Sequence, residues 1–155
     1  MLWAEAMYES GVRASPPIAT FTAVETMSEV AMTAPCVAIV EDEHSVRKAL
    51  GRLLRSSGFA VRSFGSGADF IESLPDFEPS CVVLDLHMPP PNGFEVLEIL
   101  HRGGKSLAIV VISADPSSQN RSRALTCGAQ TFLAKPVDDV LLLDALNTAL
   151  QAQRR

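Results

Sequence analysis

From Cys36 onward, short apolar runs alternate with segments whose apolar residues recur at helical spacing. Apolar runs of about four to eight residues predict buried strands, and the periodic segments between them predict amphipathic helices. The runs are "CVAIV", "FAVRSF", "CVVLDL", "LAIVVIS" and "AQTFLA". Strands that alternate with helices in this way imply a parallel sheet with right-handed crossovers and helices on both faces. The pattern therefore predicts a doubly wound, five-stranded α/β fold.

Local signals predict where several helices begin and end. "SGAD" resembles a capping box that opens the second helix, and Gly58 is predicted to close the first helix in a left-handed conformation. Further helices are expected at about residues 93–101 and 138–153. One face of the first helix is predicted to carry its apolar residues, which are Val46, Ala49, Leu50, Leu53 and Leu54.

The chain length of 155 residues suits one domain with a proper core and is short for two ordinary domains. Residues 1–34 are rich in Ala, Ser, Thr, Met, Glu and Pro, and they show no sustained helical or strand period. We expect residues 1–34 to be a flexible extension and residues 35–155 to form the single domain.

Composition argues against several classes of partner. The net charge of −5 provides no general attraction to nucleic acid or to an anionic membrane. The clustered bases of "VRKALGRLLR" are interpreted as a solvated helix face. Cys36, Cys81 and Cys127 follow no metal-ligand or CxxC pattern and stand beside apolar residues, which indicates reduced, buried thiols. No apolar run approaches the roughly 20 residues of a membrane span, and the N-terminus lacks the pattern of a secretory signal. We therefore expect a cytoplasmic protein.

Polar residues follow four of the five predicted strands. Glu41 and Asp42 come after the first strand, Asp85 ends the third, Ser113 ends the fourth and Lys135 follows the fifth. In open parallel sheets, ligands bind beyond the carboxyl ends of the strands, so these side chains are expected to share one crevice.

Three carboxylates in one crevice repel each other unless a cation lies among them. A hard divalent ion such as Mg²⁺ takes oxygen ligands of this kind. Lys135 adds a positive charge and Ser113 adds a hydroxyl donor. Together these groups predict a site that stabilises a phosphoryl group in transfer to or from Asp85.

Each residue also has a simpler interpretation. An acidic residue after the first strand can cap the following helix, and Asp85 before a proline-rich turn can form an Asx-type turn. Ser113 can start the fourth helix, Lys135 can be an ordinary surface lysine, and Phe132 can be a core aromatic. Their joint placement at the ends of four different strands favours the functional interpretation.

The chain resembles the receiver domain of two-component response regulators over about residues 36–152. "VAIVEDE" resembles the acidic pair of that family, "VVLDLHMPPPNG" its phosphoacceptor segment, "VVISAD" its Ser/Thr segment and "TFLAKPV" its Lys-Pro signature. The resemblance implies the strand order 2-1-3-4-5. It also implies a signalling switch that catalyses only its own phosphorylation and dephosphorylation.

The resemblance further implies a role for each residue of the acidic half of the site. Asp85 would be the phosphorylated residue and, with Asp42, a direct Mg²⁺ ligand. Glu41 would act on the ion through water, and the backbone carbonyl of His87 would complete the protein ligands. Glu41 stands where the family more commonly has Asp, and the longer carboxylate still reaches a metal-bound water.

The remaining roles belong to the ends of the last two strands. By the same resemblance, Ser113 would bond a phosphoryl oxygen, and Phe132 would swing inward as Ser113 moves. Lys135 would pair with the phosphoryl group, and Pro136, expected to be a cis-proline, would shape the loop that holds this lysine. Pro91 departs from the Met that is common in the family, but it touches no reacting atom.

The partners expected from the resemblance are a sensor histidine kinase or phosphotransfer protein and a downstream protein. The downstream partner would bind the face formed by the fourth helix, fifth strand and fifth helix, and a phosphorylation-dependent homodimer is also compatible with that face. Neither direct nucleic acid binding nor membrane binding is expected. The local sequence is most similar to receivers that precede a helix-turn-helix output domain, so a stand-alone receiver and a fragment of a longer regulator both stay open.

Two enzymatic or cofactor-binding alternatives are disfavoured by missing motifs. Small phosphatases that form an aspartyl phosphate need a second Asp two residues after the nucleophile, but Asp85 is followed by Leu86 and His87. A flavin mononucleotide binder needs a Ser/Thr/Gly-rich phosphate loop after the first strand, and none is present there.

Overall fold

A computed structural model describes residues 34–104 and 107–153. The predicted flexible extension, residues 1–34, lies outside the described residues apart from Ala34.

Five parallel strands form one sheet in the order β2-β1-β3-β4-β5. The strands are β1 Cys36–Val40, β2 Ala60–Phe64, β3 Cys81–Asp85, β4 Ala108–Ser113 and β5 Thr131–Ala134. The helices of the described residues are α1 His44–Ser56, α2 Gly67–Ser73, α3 Gly93–Arg102, α4 Ser118–Thr126 and α5 Asp139–Gln153. The predicted doubly wound fold and its strand order are confirmed.

Alternate residues of the central strands point to two separate hydrophobic cores. Val40, Val82 and Leu84 belong to the core that includes residues of α2, α3 and α4. Ile39 and Val83 belong to the core that includes residues of α1 and α5. Because both faces of the sheet are covered, β1, β3 and β4 are apolar along almost their whole length.

Gly58 follows α1 as predicted, whereas the predicted capping box of α2 and the predicted apolar face of α1 are formed only in part. Gly58 has φ +96° and lies just after α1, where its N–H donates to the Arg55 carbonyl, in a left-handed C-terminal motif. Ser66 accepts a hydrogen bond from the Asp69 backbone N–H, which is one half of the predicted capping box. The complete, reciprocal box is formed at α3 by Asn92 and Glu95. On α1, Ala49 is exposed although it shares the predicted apolar face.

Within the described residues, no helix combines the length and the apolar character needed to cross a membrane.

Gly93 allows α3 to start directly against the end of β3. A Cβ atom at this position would lie 2.5 Å from the Asp85 carbonyl oxygen and 2.5 Å from the Leu86 Cα. These are backbone atoms, which cannot turn away as a flexible side chain can. The close approach therefore fixes α3 to the residue that ends β3.

We expect Gly93→Ala to destabilise the fold by about 1–3 kcal/mol, the usual cost of overpacking. Gly103→Ala, at the other end of α3, is the matched control because its Cβ would lie 3.4 Å from the nearest atom, the Ile99 carbonyl oxygen. Urea unfolding of both variants measures the difference. Equal stability of the two variants would contradict the close-packing argument.

Candidate functional site

The described structure brings the predicted site residues to one edge of the sheet. Asp85 is the last residue of β3 and Ser113 is the last residue of β4. Glu41 follows β1 directly, and Lys135 follows β5 directly. Because the strands are parallel, all four side chains start from the carboxyl end of the sheet.

Lys135 joins two of the acidic residues. Its Nζ lies 2.9 Å from Glu41 Oε2 and 3.4 Å from Asp85 Oδ1. The lysine side chain is only 19% exposed, so it is not the ordinary surface lysine of the simpler interpretation. Burial alone would lower the pKa of Lys135, but the close contact with the Glu41 carboxylate and the attraction of Asp85 outweigh burial and raise that pKa. The ammonium is therefore held charged between two carboxylates.

Glu41 is completely buried, which is uncommon for a carboxylate. Its Oε1 accepts a hydrogen bond from the Glu43 backbone N–H at 3.0 Å. Its Oε2 faces the Lys135 ammonium but accepts no well-aligned hydrogen bond within the described residues. Burial raises the pKa of Glu41, and the opposing effects of Lys135 and of the Glu43 N–H do not cancel this rise. An acceptor thus remains available for a further donor such as a water molecule.

Glu41, Asp42 and Asp85 form an acidic cluster in which one oxygen from each lies within 4.8 Å of the others. Two of these residues are buried, and Asp42 is exposed. Among the described residues, the ion pairs recorded for this cluster of three carboxylates are those with the Lys135 ammonium, so negative charge is in excess. Carboxylate oxygens at this spacing, with the free acceptor on Glu41, fit a hard divalent cation that retains part of its water shell.

The β3–α3 loop holds the Asp85 carboxylate through a backbone hydrogen bond. The His87 backbone N–H donates to Asp85 Oδ1 at 3.3 Å, so the Asx-type turn of the simpler interpretation is also present. The His87 side chain is exposed. The Lys135–Pro136 peptide bond is cis, as expected, and the Pro90–Pro91 bond of the loop is cis as well.

Ser113 does not start a helix, because Ser117 caps α4. The Ser113 hydroxyl is fully buried, donates to the Asp115 carbonyl at 3.1 Å and accepts from the Asp115 N–H at 3.0 Å. Phe132 is 3% exposed. Arg121 of α4 covers its ring at 4.9 Å and donates to its carbonyl oxygen at 3.4 Å. In this state, the hydroxyl is bound to the β4–α4 loop and the aromatic ring is enclosed by α4.

Asp42 does not cap α1, because Glu43 occupies the N-cap position and makes no side-chain capping bond. The side chain that contacts this loop is Arg47, whose Nη1 donates to the Glu41 carbonyl at 2.8 Å. The interpretation of the "VRKALGRLLR" bases as a solvated face is therefore wrong for Arg47, which is half-buried. The sequence does contain a signal for this contact, because Arg47 lies five residues after Asp42 on the first turn of α1. Side chains on a helix tilt toward its N-terminus, which here leads back to the loop.

The chain was compared with models of known protein families. A family model described as the response regulator receiver domain matches residues 37–147. The matched segment contains the three acidic residues, Ser113 and Lys135.

Curated relatives include the transcriptional regulatory protein TdiR of Thauera aromatica, which is 39% identical over 121 residues, 78% of this chain and 53% of the relative. The transcriptional regulatory protein FixJ of Azorhizobium caulinodans is 33% identical over 114 residues, 74% of this chain and 54% of the relative. The chain thus spans about half the length of the curated relatives it matches.

Among solved structures, a response regulator receiver protein from Burkholderia phymatum is 38% identical, with a TM-score of 0.68. The match covers 76% of this chain and 95% of that protein. The similarity therefore extends over nearly the whole of a solved receiver protein.

Lys135→Met should destabilise the protein at pH 8 by about 3 kcal/mol, because it leaves Glu41 and Asp85 without their cation. In the wild type, the contribution of Lys135 is complete below its ordinary pKa of 10.5 and is lost as pH rises through its raised value. Without the ammonium, the pKa of Glu41 rises further above 4.5. The folded variant then retains a proton that the unfolded chain releases, so its deficit grows from pH 5 to pH 8.

Urea unfolding at both pH values measures this deficit. Lys48→Met, which removes an exposed lysine of α1, is the control and should change stability by less than about 0.5 kcal/mol. A Lys135→Met deficit that is the same at pH 5 and pH 8 would contradict the electrostatic account.

Proposed function

The chain belongs to the receiver domain family of response regulators, and we propose that it is a signalling switch controlled by phosphorylation of Asp85. The observation that carries this proposal is the position of the Asp85 carboxylate. It is 1% exposed, it lies within the acidic cluster, and it is 3.4 Å from the Lys135 ammonium. A carboxylate placed in this way can act as a nucleophile toward phosphorus.

In the proposed reaction, an Asp85 oxygen forms a bond to the phosphorus atom of the donor. The bond between phosphorus and the donor breaks, and the donor leaves with its electron pair. Lys135 offsets negative charge on the transferred phosphoryl group, and Ser113 supplies a hydroxyl donor after it releases the β4–α4 loop. No second catalytic acid is needed for transfer from a good phosphodonor, which agrees with the absence of an Asp at position 87.

Mg²⁺ is the proposed cofactor, held by the carboxylates of Asp42 and Asp85, by the backbone carbonyl of His87 and, through water, by Glu41. When bound, the ion would neutralise phosphoryl oxygens during transfer. The excess negative charge of the cluster supports this assignment.

The proposed phosphodonor is a sensor histidine kinase or a phosphotransfer protein. An apolar groove of about 480 Å³ borders Lys135, between α1 and the β5–α5 loop, and offers a protein donor a contact surface beside the site. Of the three cysteines of the described residues, Cys81 is buried as predicted, whereas Cys36 and Cys127 are only half-buried. All three are free thiols, which supports a location in the reducing cytoplasm.

The proposed output surface is formed by α4, β5 and α5, either toward a downstream protein or toward a second phosphorylated copy. It carries exposed apolar side chains, namely Leu125 at 43%, Val140 at 65% and Leu141 at 56% exposure. The names of TdiR and FixJ support an output in transcriptional control, and this surface is the proposed route to that output.

We expect incubation with acetyl phosphate and Mg²⁺ to add one phosphoryl group, mapped to Asp85 by peptide mass analysis. Asp85→Asn should abolish the mass gain while the fold stays intact. Asp115→Asn is the matched control because it removes a nearby but exposed carboxylate, and it should be phosphorylated as the wild type is. A phosphoryl group mapped to a Ser, a His or Asp42 would overturn the proposal.

Millimolar Mg²⁺ should raise the melting temperature of the wild type, since a ligand that binds only the folded state stabilises it by mass action. Asp42→Asn should remove most of this increase. Glu43→Gln, which changes the next carboxylate outside the cluster, should retain it. A wild-type melting curve that is unchanged up to about 20 mM Mg²⁺ would refute the metal site, given the weak binding typical of such hydrated sites.

A further inference from the structure

Arg47 lies on the first turns of α1 and its guanidinium turns back over the β1–α1 loop. Nη1 donates to the backbone carbonyl oxygens of Glu41 and Asp42, at 2.8 Å and 3.3 Å. Nη2 contacts His44 Nδ1 at 3.2 Å. One guanidinium thus bonds to the peptide groups of two consecutive residues of the acidic cluster.

Glu41 and Glu43 have a hydrogen bond of their own, because the Glu43 backbone N–H donates to Glu41 Oε1 at 3.0 Å. Glu43 occupies the N-cap of α1 without a side-chain capping bond. The Glu41 backbone N–H is bound to the Phe64 carbonyl at 3.1 Å, which fixes the start of the loop at β2. Asp42 is exposed, so burial does not fix its side chain. The orientation of the Asp42 peptide therefore depends strongly on Arg47.

The guanidinium is itself held in place from the opposite side. It lies against Gly65 in the β2–α2 turn, where a Cβ atom would be 3.4 Å from Nη1 and 3.6 Å from Cζ. Arg47 is accordingly half-buried between two segments. A side chain that is packed on one side and bonded on the other can transmit a fixed geometry to the loop.

We propose that Arg47 is a positioning residue for divalent cation binding, because its Nη1 donates to both carbonyls and so fixes the peptide planes from which the Glu41 and Asp42 carboxylates project. This inference rests on the metal site of the proposed function. The direction of a carboxylate follows from the direction of its Cα–Cβ bond, and that bond is set by the two adjacent peptide planes. Fixing two carbonyls therefore orients two ligand side chains at once.

The hydrogen bonds of Arg47 favour Mg²⁺ binding, whereas its positive charge opposes Mg²⁺ binding. A guanidinium near the site repels Mg²⁺, so the loss of its charge alone would strengthen cation binding. The loss of its hydrogen bonds would weaken cation binding. The sign of the change in affinity therefore separates a positioning role from a purely electrostatic one.

The test measures Mg²⁺ affinity from the rise in melting temperature across a Mg²⁺ titration, with the melting temperature in EDTA recorded separately. Arg47→Met should weaken Mg²⁺ binding by about tenfold, the order seen when groups that orient metal ligands are removed. Lys48→Met is the matched control, because it removes one positive charge from the same helix at an exposed position. It should bind Mg²⁺ as tightly as the wild type or slightly more tightly.

Arg47→Lys retains the charge but loses the planar guanidinium that packs against Gly65 and contacts His44 while its Nη1 bonds to the loop. It also serves if Arg47→Met fails to fold. It should weaken Mg²⁺ binding by an intermediate factor. Mg²⁺ binding by Arg47→Met or Arg47→Lys that equals or exceeds that of the wild type would overturn the positioning role and leave the proposed function intact. A wild type that does not respond to Mg²⁺ would overturn both.

Discussion

The ammonium of Lys135 between Glu41 and Asp85 is the interaction on which the rest of the site depends. Two nearly inaccessible carboxylates are costly to keep charged unless a cation lies within a few ångströms. The parallel order of the sheet supplies that cation, because β1, β3 and β5 all end at one edge. An antiparallel β5 would have placed Lys135 at the opposite edge. The charge balance of the site therefore depends directly on the parallel order of the strands.

Much of this arrangement could be predicted because it depends on short-range rules. The apolar runs predict the strands, and the polar residue after each run predicts the site. The partners of Ser113 could not be predicted, since its hydroxyl bonds to backbone atoms of Asp115 whose positions depend on the path of the loop. Arg47 was misread for a related reason. A base on an amphipathic helix looks solvated until the loop that receives its hydrogen bonds is known.

Helices on both faces of the sheet contribute residues near the carboxyl ends of the strands. On one face, α1 carries Arg47 beside the acidic loop. On the other, Gly93 allows α3 to abut Asp85, and Arg121 of α4 encloses Phe132. Thus α1, α3 and α4 each approach the ends of the strands through one named residue.

The two hydrogen bonds between the Ser113 hydroxyl and the Asp115 backbone affect how often the unmodified protein signals. A switch of this kind gives false output whenever it visits its active arrangement without being modified. Under the role proposed for Ser113, that visit costs the two hydrogen bonds, each worth about 0.5–1.5 kcal/mol, before any phosphoryl oxygen is present to replace them. A loss of about 1.4 kcal/mol reduces a population tenfold. On that proposal, the two hydrogen bonds between one serine and the backbone of one aspartate keep the unmodified protein in its inactive arrangement.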